Sequence, residues 1–266
     1  MKVISIIILF ISVLFIRCEN DEMVDTDISF DELLVVQCEI NPGLIFPGVR
    51  LTKTLPVGTS FSIEKAEVKD ASMYLRIDYL QIIPLHYFSE GNYKTLYDFT
   101  VQEGQVFELF GESNGVTFYS RTIIPYKPAV NSVSYNNTDH YPIANIRVSD
   151  GEVYGALWAI ISSSVVTGDD FYNIVNTSNN PGILNTEVRG SSYPENYLTA
   201  NYNGSRYIQV FSFDKSFEPY FKTFKHGETI NNPYVQGTGT TLWNVTGDNV
   251  IGMFIGVARG DFIWVN

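Results

Sequence analysis

Apolar and polar residues alternate with a period of two through much of the chain, and the alternation is cut at short intervals by Gly, Pro, Asn and Asp. In LLVVQCEI, from Leu33 to Ile40, Leu34, Val36, Cys38 and Ile40 fall on one side of an extended strand. Val49 to Leu55, Ile63 to Val68 and Tyr74 to Ile83 follow in the same style, with Asn41-Pro42-Gly43 and Pro56 to Gly58 between them. Short strands separated by turn residues predict a sandwich. The clearest local pattern runs from Gly104 to Pro125, where QVFELFGE and VTFYSRTII flank Ser113-Asn114-Gly115. Asn and Gly tolerate positive φ, so this is a predicted hairpin.

Pro125-Tyr126-Lys127-Pro128 interrupts the pattern, because proline removes a ladder donor and stiffens the chain. A domain boundary is expected there. Beyond it, Ile143 to Ser149 and Glu152 to Ser163 form a predicted hairpin about Asp150-Gly151, and Gly155 to Ile161 is apolar on both faces, as in a central strand. Thr167 to Asn203 is rich in Asn, Ser, Gly and Asp and reads as long loops with weak strands, a kind of segment that often carries function. The strand Tyr207 to Phe213 leads into a short predicted helix, with Asp214 as its cap and Phe217, Tyr220, Phe221 and Phe224 at helical spacing. That aromatic stripe is expected to pack in the core rather than face a ligand. Val250 to Val257 and Asp261 to Val265 are two expected closing strands, with Gly252 and Gly256 marking close packing or bulges. The expected fold is all-β: an immunoglobulin-like β-sandwich over residues 32–127, then a second β-rich domain with one short helix over residues 128–266.

The first residues follow a different rule. Lys2 precedes an apolar run from Val3 to Ile16, and Arg17-Cys18 closes it. As a helix the run rises only about 21 Å, against a hydrocarbon layer of about 30 Å, so a secretory signal fits better than a membrane span. A cysteine at the end of such a run is where a bacterial lipoprotein signal is cut and acylated. Residues 1–17 are therefore the expected signal peptide, Cys18 the expected lipidation site and residues 18–31 an acidic linker. Phe15, Ile16 and Arg17 stand where small residues usually precede such a cysteine. An uncleaved anchor and an unmodified cysteine are the alternatives. Each buried methylene of an acyl chain contributes about 0.8 kcal/mol, so two or three chains hold a soluble domain on a membrane.

Charge narrows the partners. The chain carries 17 Lys and Arg against 29 Asp and Glu, for a net −12, and loss of Lys2 and Arg17 with the signal would leave it more acidic still. Such a surface excludes a nucleic-acid partner and repels anionic headgroups, so membrane attachment falls to the lipid. A hydrophobic content of 45% excludes a disordered chain.

Candidate chemistry is sparse. Cys38 is expected to be a buried, inert thiol, and a Cys18–Cys38 disulfide requires Cys18 to be unacylated. His86, His140 and His226 lack metal-ligand spacing, and no nucleophile elbow, phosphate loop or dinucleotide fingerprint occurs. No catalytic, metal or cofactor residue is assigned. Asp169-Asp170 offers oxygen ligands for calcium, though a solvated loop is the simpler reading. The Asn-x-Ser/Thr triplets at Asn136, Asn176, Asn203 and Asn244 are accidents of composition if the signal is bacterial.

The chain holds 17 Tyr and 18 Phe, and Tyr135, Tyr141, Tyr172, Tyr193, Tyr197, Tyr202 and Tyr234 lie in predicted loops. Rigid amphipathic rings suit a glycan, a peptide or a protein surface. Tyr172, Tyr193, Tyr197, Tyr202 and Tyr234 are the candidate contact residues, with ordinary loop packing as the alternative.

Taken in order, the pieces resemble a family. They are the signal ending at Cys18, LLVVQCEI, VRLTKT from Val49, KAEVKD from Lys65 to Asp70, the hairpin ending in TIIP at Thr122 to Pro125, SFDKSFEPYF from Ser212 to Phe221, Asn232-Pro233-Tyr234, and IGMFIG from Ile251 to Gly256. Together they are similar to a Bacteroidota outer-membrane lipoprotein family of unknown function, typically encoded beside TonB-dependent receptors. The run Cys18-Glu19-Asn20-Asp21-Glu22 likewise resembles a surface-export signal of such lipoproteins, with a solvated spacer as the plain alternative. The resemblance implies an outer-membrane, lipid-anchored, cell-surface protein without catalytic residues. The expected role is accessory to a TonB-dependent receptor, binding the receptor or its cargo. A surface adhesion module without a transporter partner, and a hydrolase whose paired carboxylates no pattern specifies, are the alternatives.

Overall fold

A computed structural model describes residues 30–168, 170–177, 183–198, 204–224 and 241–265. Residues 32–266 cluster as one compact unit, distinct from Met1–Asp31. The described chain is all-β, with strands in one large sheet and one of three strands. Among the described residues no helix is long and apolar enough to cross a membrane.

The large sheet folds over itself in its first half. On one side lie β1 (Leu34–Ile40), β2 (Val49–Lys53) and β5 (Asn92–Lys94). On the other lie β3 (Ser72–Ile77), β6 (Val106–Ser113), β7 (Val116–Ile123) and the short β15 (Val245–Thr246). The strand β4 (Gln81–Ser89) joins the sides, because its first half pairs with β3 and its second with β5. The alternation seen in LLVVQCEI now has its cause: Val36 and Ile40 of β1, with Val49 and Leu51 of β2, meet Leu75, Phe107, Leu109 and Phe118 in one buried cluster. Cys38 lies in that cluster as a free thiol, and burial pushes its pKa up.

A second stack follows. Its larger layer holds β10 (Glu152–Ile161), β14 (Ser205–Asp214) and part of β16 (Val250–Trp264), with β11 (Val165–Thr167) and β12 (Ile174–Asn176) on the outer edge of β10. The three-stranded sheet of β8 (Ala129–Asn136), β9 (Tyr141–Arg147) and β13 (Asn185–Arg189) covers one face. Ala144, Ile146 and Val188 pack there against Tyr154, Ala156, Ile208 and Val210.

The strand β16 belongs to both stacks. Val250 to Gly256 runs parallel to β1, and Val257 to Trp264 runs antiparallel to β14. Segments on either side of the expected 127/128 boundary therefore share one strand. The connection from β7 to β8 crosses directly behind it. Asp214 Oδ2 accepts the Ile123 amide at 3.0 Å, Glu152 Oε1 accepts the Tyr126 amide at 2.7 Å, and the Ser212 hydroxyl donates to the Tyr126 carbonyl at 2.5 Å. Gly256 makes the crossing feasible, since a Cβ there would sit 2.7 Å from the Ile123 carbonyl oxygen.

Several elements differ from those expected. Ile63 to Val68 is not a strand: Ile63–Ala66 forms one helical turn with Ala66 buried, and Glu67 then bridges to Thr52. Tyr74 to Ile83 is not one strand but the β3–β4 hairpin, turning through Asp78 and Tyr79 at φ 50 and 63. The Asp78 carboxylate stabilises that turn by accepting the Val106 amide at 2.8 Å. The two closing strands are one, and the helix spans Phe217–Phe224, while Asp214 ends β14 and accepts from the Ser216 amide and hydroxyl at 2.9 and 2.6 Å.

Candidate ligand-binding trough

Strands β14 and β16 are apolar on both faces. Even-numbered Ile208 and Val210 point into the second stack, so odd-numbered Gln209, Phe211 and Phe213 face the other way. On β16 the same outer face carries Met253, Ile255, Val257 and Arg259. Since β1 buries its even positions, Val35, Gln37 and Glu39 line the same surface alongside β16. Phe262 completes it beside Gln209, its register partner.

Aromatic rings wall one side. Phe171 meets Phe211 and Phe213 edge-on at 5.3 and 5.4 Å, in space that Gly155 leaves open: a Cβ on Gly155 would come within 2.7 Å of the Phe171 ring. The helix Phe217–Phe224 lies across the end of β14, with Phe217 stacked on Phe213 at 4.0 Å. Tyr220 stacks on Phe224 at 5.2 Å and packs on Trp243 at 5.4 Å, which forms a rim. The open trough has a volume of about 880 Å³.

Its polar groups cluster along the β1 side and at one end. The Arg259 guanidinium donates to Glu39 Oε1 at 2.6 Å, and the Gln209 amide donates to the Gly260 carbonyl at 2.9 Å. Gln37 and Glu39 are exposed. The trough thus presents ring faces on the side of β14 and the helix and planar hydrogen-bonding groups on the side of β1, with Gln209, Arg259 and Phe262 together at one end.

The tyrosines singled out from sequence are not its lining. Tyr172 is half exposed and covers one face of Arg189, whose guanidinium lies 3.7 Å from its ring centre and 3.5 Å from that of Tyr141. Tyr193 is buried against Trp158, donates to the Tyr207 carbonyl at 2.8 Å, and has its pKa pushed up by burial. Tyr197 packs on the same Trp158 at 5.8 Å. Tyr193 and Tyr197 therefore meet around one tryptophan, while Tyr172 stands on Arg189. Tyr202, Tyr234 and the lipidation residue Cys18 lie outside the described residues. The helical stripe expected to be core is divided: Phe221 is buried, and Phe217, Tyr220 and Phe224 line the trough.

The remaining candidates have structural settings. The Asn244 amide donates to the Phe254 carbonyl at 2.7 Å and accepts the Phe254 amide at 2.9 Å, so its side chain imitates a paired strand. Asn136 accepts the amides of Thr138 and Asp139, and Asn176 donates to Glu218. Asn203, Asp169 and His226 lie outside the described residues. His86 sits exposed on β4, and His140 bonds the Tyr135 hydroxyl at 3.0 Å in the β8–β9 turn. Among the described residues no group of three His, Cys, Asp or Glu is placed to hold a metal ion.

One signal in the sequence marks the trough. A strand that is apolar on both faces must be covered on both, and the odd positions of β14 and β16 had no assigned cover.

No family model matches the chain, and no curated protein is similar to it in sequence. Among solved structures it is similar to a DUF4785 family protein from Legionella pneumophila, with 10% identity and a TM-score of 0.27, over 68% of this chain and 52% of that one. The chain spans about half the length of that protein.

Proposed function

We propose that the protein is a non-catalytic, lipid-anchored outer-membrane binding protein whose trough holds a ligand, and that it serves as an accessory to a TonB-dependent receptor. The trough is the observation that carries this reading. Its floor is built from β14, β16 and β1, which hydrogen-bond in that order within one sheet, so the ring faces are held on a rigid base. Strand-mounted aromatic rings bury large area at small entropic cost, which is the chemistry of recognition. Cys18 behind its apolar run supplies the anchor, and the net charge of −12 leaves membrane attachment to the lipid.

Two experiments test the two halves. Cells fed a radioactive fatty acid are expected to label the wild-type chain and not Cys18→Ala; equal labelling of both removes the anchor. Affinity purification of the full chain from solubilised outer membranes is expected to recover a TonB-dependent receptor. Recovery of none overturns the accessory role.

A further inference from the structure

We infer that the trough binds a neutral oligosaccharide, an inference that rests on the binding role just proposed and gives it a ligand class. The two sides of the trough, β14 with the helix and β1 with Arg259, differ in chemistry across its width. Phe211, Phe213 and the Tyr220–Trp243 rim offer carbon surface, whereas Gln37, Glu39 and Arg259 offer planar donors and acceptors. A pyranose ring has the matching division, with a C–H face on one side and hydroxyl groups around its edge. Amide, carboxylate and guanidinium groups each present two or more hydrogen-bonding positions in a plane, which suits neighbouring hydroxyls.

Other ligand classes fit less well. An acyl chain would strip water from Gln37 and from the Arg259–Glu39 pair without supplying hydrogen bonds in return, and desolvating polar groups uncompensated is costly. A peptide recognised by strand addition needs an open sheet edge, whereas the trough is lined by the side-chain face of β14, β16 and β1. An anionic ligand meets Glu39 and the negative field of the whole chain, while a cation meets Arg259. Because Arg259 and Glu39 neutralise each other at 2.6 Å, that end carries polarity without net charge. Length favours several sugar units over one. Met253 to Phe262 spans nine steps of β16, about 30 Å at strand rise.

Calorimetry on the detergent-solubilised full chain tests this. The probes are neutral hexasaccharides of glucose, xylose, mannose and galactose in α and β linkages, hexagalacturonate, dodecanoate, and an extended aromatic peptide. At least one neutral hexasaccharide is expected to bind. Its affinity is expected to fall roughly tenfold in Phe262→Ala and in Gln37→Ala, the scale of one lost ring or hydrogen-bond contact. Both side chains are exposed, so unchanged thermal melts would establish that the variants fold. Dodecanoate or peptide binding that weakens in Phe262→Ala, with no neutral sugar bound, overturns the sugar class and leaves the binding role standing. Hexagalacturonate bound more tightly than any neutral probe overturns the neutrality. Neutral sugar binding indifferent to both substitutions overturns the site. Silence from every probe overturns both the ligand class and the binding role.

Discussion

Glu152 is the residue on which the junction of the two stacks turns. Its carboxylate is buried, accepts the Tyr126 amide at 2.7 Å and accepts the Tyr154 hydroxyl at 2.6 Å. Burial raises its pKa above the usual glutamate value of 4.5, against the opposing pull of those two donors. A carboxyl group with a raised folded-state pKa contributes stability that is fully present below the unfolded value and is lost as pH rises through the folded one. Wild type is therefore expected to lose stability relative to Glu152→Gln as pH rises from 4.5 through that raised value, read as the difference between their melting temperatures across pH. Taking the difference matters, because Arg76 and Tyr87 hold Glu108 and Glu67 below their ordinary range, and those groups act with the opposite sign. Glu152→Ala, by contrast, strands the Tyr126 amide and the Tyr154 hydroxyl and is expected to cost about 2 kcal/mol in urea denaturation. Asn244 poses the same question without charge. Its amide satisfies both backbone groups of Phe254, so Asn244→Ala is expected to cost about 2 kcal/mol by the same measurement.

Among the elements, β16 is the one whose sequence explains most of its course. The glycines expected to mark close packing do so for different partners: Gly256 admits the β7–β8 connection, and Gly252 sits at φ +138 with its absent Cβ 1.9 Å from the Val36 carbonyl oxygen. An alanine at position 252 must adopt a conformation that L side chains rarely take and must also displace β1. Gly252→Ala is expected to destabilise by about 3 kcal/mol, again in urea. The strands LLVVQCEI and VTFYSRTII could be read from sequence because each buries one parity against a single core. The β3–β4 turn could not, because Asp78 and Tyr79 take positive φ without a glycine and rely on Val106, a distant partner. The edge strand β8 escaped for a related reason: its burial is too shallow to impose alternation. The trough was half readable. Its rings at Phe217, Tyr220 and Phe224 showed as a stripe, but their partners on β10, β14, β16 and β1 are far apart in sequence and meet only through sheet pairing.

For residues 32–266 taken whole, the shared strand decides how folding is divided. Parallel pairing of β1 with Val250 to Gly256 closes the first stack, and Phe254 fills its core at zero exposure. A fragment of residues 32–127 would lack both, leaving one edge of β1 unpaired and a cavity where Phe254 packs. Loss of a buried Phe alone costs about 3 to 5 kcal/mol, a large part of the stability of a domain of that size. The fragment is therefore expected to give a collapsed proton spectrum without dispersed amides, whereas the same fragment mixed with residues 128–266 recovers dispersion. The intact chain is expected to melt in one transition rather than two, since β16 cannot leave β14 while remaining ordered on β1. Two separate calorimetric transitions, or a well-dispersed spectrum from the isolated fragment, would show that the first stack stands without the last strand. Such a result would also loosen the trough, whose floor includes β1 and β16 side by side and keeps its two walls in register only while that parallel pair holds.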